Sequence, residues 1–282
     1  MCRMSALAAT AVALSLAPVA GWAKDRPKPA PEAAAAPAPG APGAKAATQR
    51  VKATPEQRTM VQRADALTRA AFWAREADID PADDAAAMGL AQALRALGNY
   101  DDAATAVGRL LLAKPQNVDA LLELARIHVA RGQGFYAIEP ARKAATLAPR
   151  DWRIPSLLGV AYEQASRDDE ALAAHRQALA LAPENPVVMS NLAMFYAGHG
   201  DAAQAEALLR KAAARPDSTI QVRQNLALVL GLQGRLAEAE KIARQDLPPE
   251  LVTNNMTYLR AASGADAPAA NTRSWGSLTT QP

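Results

Sequence analysis

The chain has 282 residues, of which 31 are basic and 28 acidic, with three histidines and a single cysteine. This near balance of charge offers no basic stripe of the kind found on nucleic-acid-binding proteins, so we expect no nucleic-acid partner. The lone cysteine, Cys2, cannot form an internal disulfide, and a folded domain must therefore be stabilised by its apolar core.

Residues 1–23 have the features of a secretory signal peptide. Arg3 precedes an apolar run over residues 6–20, and small residues follow at positions 21 and 23, where a signal peptidase requires them. The run is shorter than the roughly 20 apolar residues that span a bilayer. Cleavage after Ala23 is the preferred prediction, and a retained anchor is the alternative. We therefore expect an exported, periplasmic protein.

Two further segments have the composition of unfolded chain. Proline, alanine and glycine dominate residues 24–54, where large apolar side chains are nearly absent. Such a segment cannot build a core and is predicted to be a disordered linker. It is either a semi-rigid spacer or low-complexity sequence without a selected length. Residues 263–282 are similarly polar and are predicted to be a disordered tail.

The segment between them, residues 55–262, is predicted to form a helical repeat domain. Residues 55–77 favour one long helix, a degenerate half repeat in which Trp73 has the phase of an aromatic position in later repeats. From residue 84 onwards, four series recur every 34 residues. The first consists of leucines: Leu90, Leu124, Leu158, Leu192 and Leu226. The second consists of small residues: Ala91, Ala125, Gly159, Ala193 and Ala227. The third consists of turn residues: Gly98, Gly132, Ser166, Gly200 and Gly234. The fourth consists of alanines: Ala103, Ala137, Ala171, Ala205 and Ala239.

Each series has a physical role in a helical hairpin. A leucine belongs to the first helix, and the small residue beside it lets the second helix approach closely. Glycine ends the first helix in a left-handed conformation. Acidic residues at 101–102 and 168–170 are predicted to cap the second helix and oppose its dipole. The alanine marks the crossing point, and prolines at 81, 115, 149 and 183 close the units.

The period, order and residue types resemble the tetratricopeptide repeat. The resemblance implies an all-α, right-handed superhelix of about five helix pairs with flanking N-terminal and C-terminal helices. We place units 1 to 5 at residues 84–117, 118–151, 152–185, 186–219 and 220–253. Residues 249–262 are predicted to be a cap helix. The residues that carry the repeat signature are Leu124, Leu158, Gly159, Tyr162, Ala171, Pro183, Leu192 and Leu226.

No catalytic motif is found in the sequence, so a non-enzymatic protein without metal, cofactor or small-molecule substrate is expected. His128 and His175 fall at aromatic positions of the repeat and are predicted to be packing residues. His199 precedes a turn glycine and has no ligand partner nearby in sequence. Helix capping explains the acidic run at 168–170 better than a metal site does.

The resemblance also implies a concave groove lined by the first helices, at positions 2, 5, 6, 9, 12 and 13 of each unit. These positions hold Gln92, Arg95, Asp119, Glu123, Arg126, Arg153, Glu163, Gln164, Asn191, Gln221, Gln224 and Asn225. Asn191 and Asn225 are candidates for binding a peptide backbone, since each side-chain amide has both a donor and an acceptor. Arg126 and Arg153 are candidates for a bidentate grip on a carboxylate. Glu163 and Gln221 complete the candidate binding set.

A more specific resemblance lies in residues 223–260, RQNLALVLGLQGRLAEAEKIARQDLPPELVTNNMTYLR. This segment is similar to the TadD family, the tetratricopeptide components of the tight-adherence (Flp) pilus assembly system. The resemblance implies a scaffold associated with the outer membrane through its partners, with the secretin as one candidate partner. Family members are commonly lipoproteins, whereas no lipobox cysteine follows the apolar run here. The alternative is a periplasmic assembly factor or holdase for another envelope complex.

Overall fold

The computed structural model describes residues 51–263, and that part of the chain consists of 13 helices without a strand. The predicted signal peptide (1–23), residues 24–50 of the predicted linker and residues 264–282 of the predicted tail lie outside the described residues. The helices are α1 (Pro55–Val61), α2 (Ala66–Ile79), α3 (Asp84–Ala96), α4 (Tyr100–Ala113), α5 (Val118–Ala130), α6 (Gly134–Leu147), α7 (Arg153–Gln164), α8 (Asp168–Leu181), α9 (Pro186–Gly198), α10 (Ala202–Ala213), α11 (Ile220–Leu232), α12 (Leu236–Ala243) and α13 (Pro249–Ala262).

The predicted all-α repeat fold is confirmed. Each predicted unit begins at or next to the start of one pair: α3 with α4, α5 with α6, α7 with α8, α9 with α10, and α11 with α12. Helices α1 and α2 precede the pairs, and α13 follows them over the range predicted for the cap. The fifth unit ends early, because α12 has 8 residues and α13 begins inside the predicted range 220–253.

The pairs stack so that first and second helices have different neighbours. Every helix from α2 to α12 packs on the next one along the chain. First helices also pack on the first helix of the following pair, from α3 through α5, α7, α9 and α11 to α13. Within residues 51–263, no second helix packs on another second helix. First helices therefore line the tighter, concave side of the stack, and second helices lie on the outer side.

The alanine and glycine series allow this close packing. All five alanines of the fourth series are completely buried. At Gly159, an added Cβ would lie 2.4 Å from Cε1 of His175, whose ring fills the space beside the glycine. His175 is itself buried and its ring centroid lies 5.9 Å from that of Phe195. It is a packing residue, as predicted.

The third series supplies the left-handed residue after each first helix. The four glycines of the series have φ between 77° and 84°, and Ser166 has φ 57°. A side chain in this region costs roughly 1–2 kcal/mol, a cost that glycine avoids. Unit 3 therefore keeps a strained residue where the other units have relieved it.

We expect Ser166→Gly to stabilise the domain by about 1 kcal/mol, since Ser166 is exposed and the strain that is relieved exceeds the entropy that glycine adds to the unfolded chain. For a domain of this size the gain corresponds to a rise in Tm of roughly 2–4 °C. Thermal unfolding followed by circular dichroism measures it. An unchanged or lower Tm would show that Ser166 is not strained.

The N-terminal helices differ from the prediction of one long helix over residues 55–77. The chain breaks after α1, and Asp65 caps α2 by accepting a hydrogen bond from the Thr68 amide at 2.9 Å. The capping aspartate, rather than the apolar pattern, sets this boundary. Helix α2 packs on α3 in the way that the second helix of a pair packs on the first helix of the next unit, and Trp73 is buried. Both features are expected for a half repeat.

Contacts with the helices already begin within the segment assigned to the linker. Thr54 caps α1 in a reciprocal capping box with Gln57. The Ala53 amide donates to both carboxylate oxygens of Glu76 at 3.1 Å, and Lys52 forms an ion pair with Asp80. Residues 52–54 are thus attached to the first helices.

The predicted capping role of the first-turn acids is wrong for α4 and α8. Neither helix has a side-chain cap, and within residues 51–263 only Asp201 caps a second helix of the five pairs, α10, by accepting from the Gln204 amide at 3.0 Å. Instead the acids reach the next unit. Asp101 pairs with Arg131, and Asp168 Oδ2 lies 3.3 Å from Nε2 of His199. These carboxylates link units, which the sequence pattern within one unit cannot reveal.

The concave face as candidate functional site

The N-terminal part of the concave face contains a buried carboxylate between two arginines. Glu123 lies on α5 with 1% of its side chain exposed, and Nε of Arg95 on α3 donates to its Oε1 at 2.7 Å. Nη1 of Arg126 lies 3.5 Å from Oε2, which is buried without a hydrogen bond. Arg126 remains 32% exposed. Its guanidinium therefore covers Glu123 and still has donors directed at solvent.

Arg153 holds units 2 and 3 together. Its Nε donates to Asp151 Oδ1 and Oδ2 at 2.9 Å, and Nη1 donates to Asp119 Oδ1 at 3.0 Å. The hydrogen bonds that Arg153 donates to Asp151 hold the pKa of the guanidinium above its usual range. Asp119 and Arg153 occupy equivalent positions of adjacent units. The Arg153 guanidinium is thus bonded to two carboxylates of the protein itself. Of the two arginines predicted to bind a carboxylate, Arg126 is the one whose donors are not already hydrogen-bonded within residues 51–263, although Arg153 is the more exposed, at 41%.

The two candidate asparagines form equivalent hydrogen bonds between neighbouring first helices, which we call the asparagine rungs. Nδ2 of Asn191 on α9 donates to Oγ of Ser156 on α7 at 2.9 Å. Nδ2 of Asn225 on α11 donates to Oγ of Ser190 on α9 at 3.0 Å. Both serines are buried. One amide proton of each asparagine therefore serves the stack. The serines recur 34 residues apart, so their spacing in the sequence is a signal for these hydrogen bonds.

The remaining two candidates also have partners within the protein. Oε1 of Glu163 lies 2.5 Å from Nε2 of the buried His175. Nε2 of Gln221 donates to Oδ1 of Asn225 at 2.9 Å, and Gln221 is exposed near the C-terminal end of the face. Glu163 thus orients a core ring, whereas Gln221 extends the second rung toward solvent.

The lining changes character along the stack. Position 9, in the middle of each first helix, holds Gln92 and Arg126 in units 1 and 2, and then Val160, Met194 and Leu228 in units 3 to 5. The last three side chains are partly exposed. The face therefore combines a charged half, with Arg95, Glu123 and Arg126, and an apolar half flanked by the asparagine rungs. Such a surface matches an extended segment that is polar at one end and apolar at the other.

His128, on the same helix as Glu123, also has a buried polar atom without a hydrogen bond. Burial lowers its pKa, the charge of Arg131 lowers it further, and Nδ1 is buried without a hydrogen bond. Its ring lies 5.9 Å from that of Tyr136. The folded-state pKa lies below the ordinary value of about 6.5. The stability that the neutral ring contributes is therefore fully present above about pH 6.5. It is lost as the pH falls toward the folded-state pKa.

We expect His128→Tyr, which introduces the residue found at this position in units 3 and 4, to reduce acid destabilisation. The wild type should lose more Tm than the variant between about pH 7 and about pH 5, since only the wild type must protonate this ring. Melting curves of the wild type and the variant, measured in parallel across this pH range, test the effect. The two proteins share all other groups that titrate in this range, so the difference reports on His128. Identical slopes would show that His128 does not titrate unfavourably.

Neither metal ligation nor a membrane span is indicated in residues 51–263. No group of three or more histidine, cysteine, aspartate or glutamate side chains could hold a metal ion there. No described helix is long and apolar enough to cross a bilayer.

Comparison with known proteins agrees with the repeat frame. Family models described as tetratricopeptide repeat match residues 62–117 and 88–151, 164–227, and 219–247. Together these matches cover more than half of the chain and begin within the N-terminal half repeat. No curated protein matches the chain in a comparison of sequences.

Three solved structures illustrate the likeness in fold. A thermophilic TPR protein from Thermus thermophilus is 28% identical with a TM-score of 0.55, over 62% of this chain and 96% of that one. A tetratricopeptide repeat protein from Parabacteroides merdae is 14% identical with a TM-score of 0.63, over 72% and 82%. Pseudomonas aeruginosa pilF is 20% identical with a TM-score of 0.50, over 64% and 86%.

Repeat proteins of this kind are generally non-catalytic scaffolds that bind other proteins, which agrees with the continuous face of first helices. The stacked pairs and the repeat matches over units 1 to 5 lead to one assignment: the chain belongs to the tetratricopeptide repeat family.

Proposed function

We propose that the chain is an exported, non-catalytic scaffold of a tight-adherence pilus assembly machine, and that it holds partner proteins on its concave face. The observation that carries this proposal is the unbroken wall of first helices from α3 to α13, with a charged half and an apolar half. A wall of this kind presents many weak contacts in fixed register, which suits a protein segment better than a small molecule.

The lining specifies the chemistry of the partner segment. Arg126, which is partly exposed beside buried Glu123, attracts a carboxylate at the N-terminal half. Met194 and Leu228 offer apolar contacts in units 4 and 5. Gln221 supplies an exposed amide beside them. The partner segment is therefore acidic at one end and apolar at the other, and the secretin of the machine is one candidate for it.

Support for the pilus system comes from residues 223–260, whose sequence resembles the TadD family. In the fold these residues lie in α11, α12 and α13. Nη2 of Arg223 is 2.5 Å from Asp246 Oδ1, and Leu259 packs on Gly231, where an added Cβ would lie 2.4 Å from Cδ1. The segment thus encodes a specific way of ending the array. The predicted signal peptide and Pro/Ala-rich linker agree with a role in the periplasm, near the outer membrane through partners.

Deletion of the gene tests this function. The proposal predicts loss of surface pili and adhesion while the pilin subunit is still made. Wild-type protein should restore piliation, and an Arg126→Gln/Gln221→Ala variant, in which a neutral amide still covers buried Glu123, should restore it poorly. Circular dichroism checks that this variant is folded. Arg63→Ala, which changes an exposed arginine outside the groove, is the matched control.

Normal piliation after deletion would contradict the proposal. If the purified protein then captured unfolded client proteins while piliation stayed intact, the alternative of a periplasmic assembly factor or holdase would be favoured. If deletion abolished piliation but the groove variant restored it fully, the scaffold role would stand and the groove would not be the binding site.

A further inference from the structure

A second repeating feature lies on the outer side of the stack. Position 25 of units 2 to 5 holds an exposed arginine in every case: Arg142, Arg176, Arg210 and Arg244. The first three lie on α6, α8 and α10, and the fourth directly follows α12. Position 26 adds exposed Arg109, Lys143 and Lys211 in units 1, 2 and 4. The repeat therefore places cations in a row across neighbouring second helices.

The row differs between the two ends of the stack. Arg210 pairs with Glu206 at 2.9 Å and with Glu238 at 2.5 Å, and Arg244 pairs with Glu240 at 2.6 Å. Glu206 and Glu240 both stand at position 21, one helical turn before the arginine. The charges of Arg210 and Arg244 are therefore neutralised within the protein.

In units 2 and 3, position 21 holds Ile138 and Leu172, so that the arginines there lack this carboxylate. Within residues 51–263, no ion pair is formed by Arg109, Arg142, Lys143 or Arg176, which we call the outer belt. Arg176 makes a single long contact, 3.5 Å from its Nη2 to Oη of Tyr196. The belt thus keeps its positive charge, whereas Arg210 and Arg244 are neutralised by carboxylates.

The side chains of adjacent second helices are close enough to act together. Arg210 reaches Glu238 on the next second helix. The pKa of Glu170, at the start of α8, is lowered mainly by the hydrogen bonds that Arg167 donates, and the charge of Arg142 on α6 adds to this without a direct contact. The belt is therefore one surface that crosses α4, α6 and α8.

Large apolar side chains flank the belt. Leu112 is 87% exposed near the end of α4, and Phe135 is 70% exposed near the start of α6. Phe135 stands where units 1 and 3 carry Asp101 and Asp169. It lies two turns from Arg142 on the same exposed side of α6. Exposed side chains of this size beside unpaired cations are typical of a protein-binding surface.

We propose that the outer belt docks an acidic segment of a partner protein that also carries apolar anchor residues. Arginine forks bind carboxylates in a bidentate manner, while Leu112 and Phe135 accept the anchors. A protein segment fits better than an anionic membrane, because exposed Glu139 and Asp169 lie among the cations. A uniformly negative surface would be repelled there, whereas a protein can present a matching cation. The belt lies opposite the concave face, so both surfaces can be occupied together.

The test uses the full chain and a fluorescently labelled synthetic peptide of glutamate and leucine residues. Binding is followed by fluorescence anisotropy at low and at physiological salt. The belt variant Arg142→Glu/Arg176→Glu should weaken binding by at least about tenfold, since two attractive contacts become repulsive. The control variant Lys241→Glu/Arg260→Glu makes the same change in net charge at exposed residues outside the belt. It should change binding by less than about twofold.

Three results would overturn the proposal. Equal weakening in both variants would mean that only net charge matters. Absence of peptide binding by the wild type would remove the acidic segment as occupant. Binding to phosphatidylserine vesicles that the belt variant loses, while peptide binding is unchanged, would assign the belt to a membrane. Circular dichroism of both variants confirms that the fold is kept.

Discussion

Replacing Leu209 by alanine is expected to destabilise the domain by about 2–5 kcal/mol, the range for a fully buried leucine. Leu209 lies on α10 with 0% of its surface exposed, in a cluster with Met189, Val222 and Leu230. The cavity would weaken the contacts of α10 with both α9 and α11. Because each unit is stabilised only by its neighbours, the loss should spread to α11 and α12 first.

Leu112→Ala is the matched control, since Leu112 is 87% exposed on α4. Its effect should stay within about 0.5 kcal/mol. Urea unfolding followed by circular dichroism measures both variants. A loss for Leu209→Ala no larger than that of the control would show that α10 is not packed between two first helices.

Replacing Arg58 by alanine should detach α1 from the array. Arg58 donates from Nη2 to Glu76 at 2.6 Å and to Asp83 at 2.7 Å, and its guanidinium lies 5.7 Å from the centre of the Trp73 ring. Glu76 has only 1% of its side chain exposed. Removing one partner of a buried ion pair costs about 3–5 kcal/mol. Arg58 is itself 21% exposed, so we expect the lower end.

A helix of 7 residues cannot absorb that loss, so local opening should relieve it. Hydrogen exchange should become faster in residues 52–61 and remain unchanged in α5 to α12. The matched control is Arg63→Ala, an exposed arginine that forms no ion pair within residues 51–263. Uniformly faster exchange along the whole chain would contradict this local account, and unchanged exchange at α1 would show that the cluster around Glu76 is not needed.

Much of the fold could be predicted because the residues that set it recur within one unit. The 34-residue series determined which helix each residue occupies, and the cap helix matched its predicted range. The break between α1 and α2 was missed because the N-terminal half repeat has no second copy with which to align. There a single capping residue, Asp65, decides the boundary.

The groove was less predictable, because its side chains pair between units. Arg153 bonds to Asp119 34 residues earlier, and Asn191 bonds to Ser156 35 residues earlier. Such contacts depend on how far one unit is rotated against the next, which no pattern within a unit contains. The sequence placed the candidate residues on first helices, but it could not tell that Arg153 is already bonded or that Glu123 is buried.

The most direct test of the proposed scaffold role is site-specific photocrosslinking in cells from Gln221, which is exposed on the concave face. Thr253, exposed on the cap helix α13, serves as the control position. Binding of partners in the groove predicts a discrete protein adduct from Gln221, identified by mass spectrometry as an envelope component, and none from Thr253. Absence of an adduct at Gln221, or the same adduct from both positions, would contradict it.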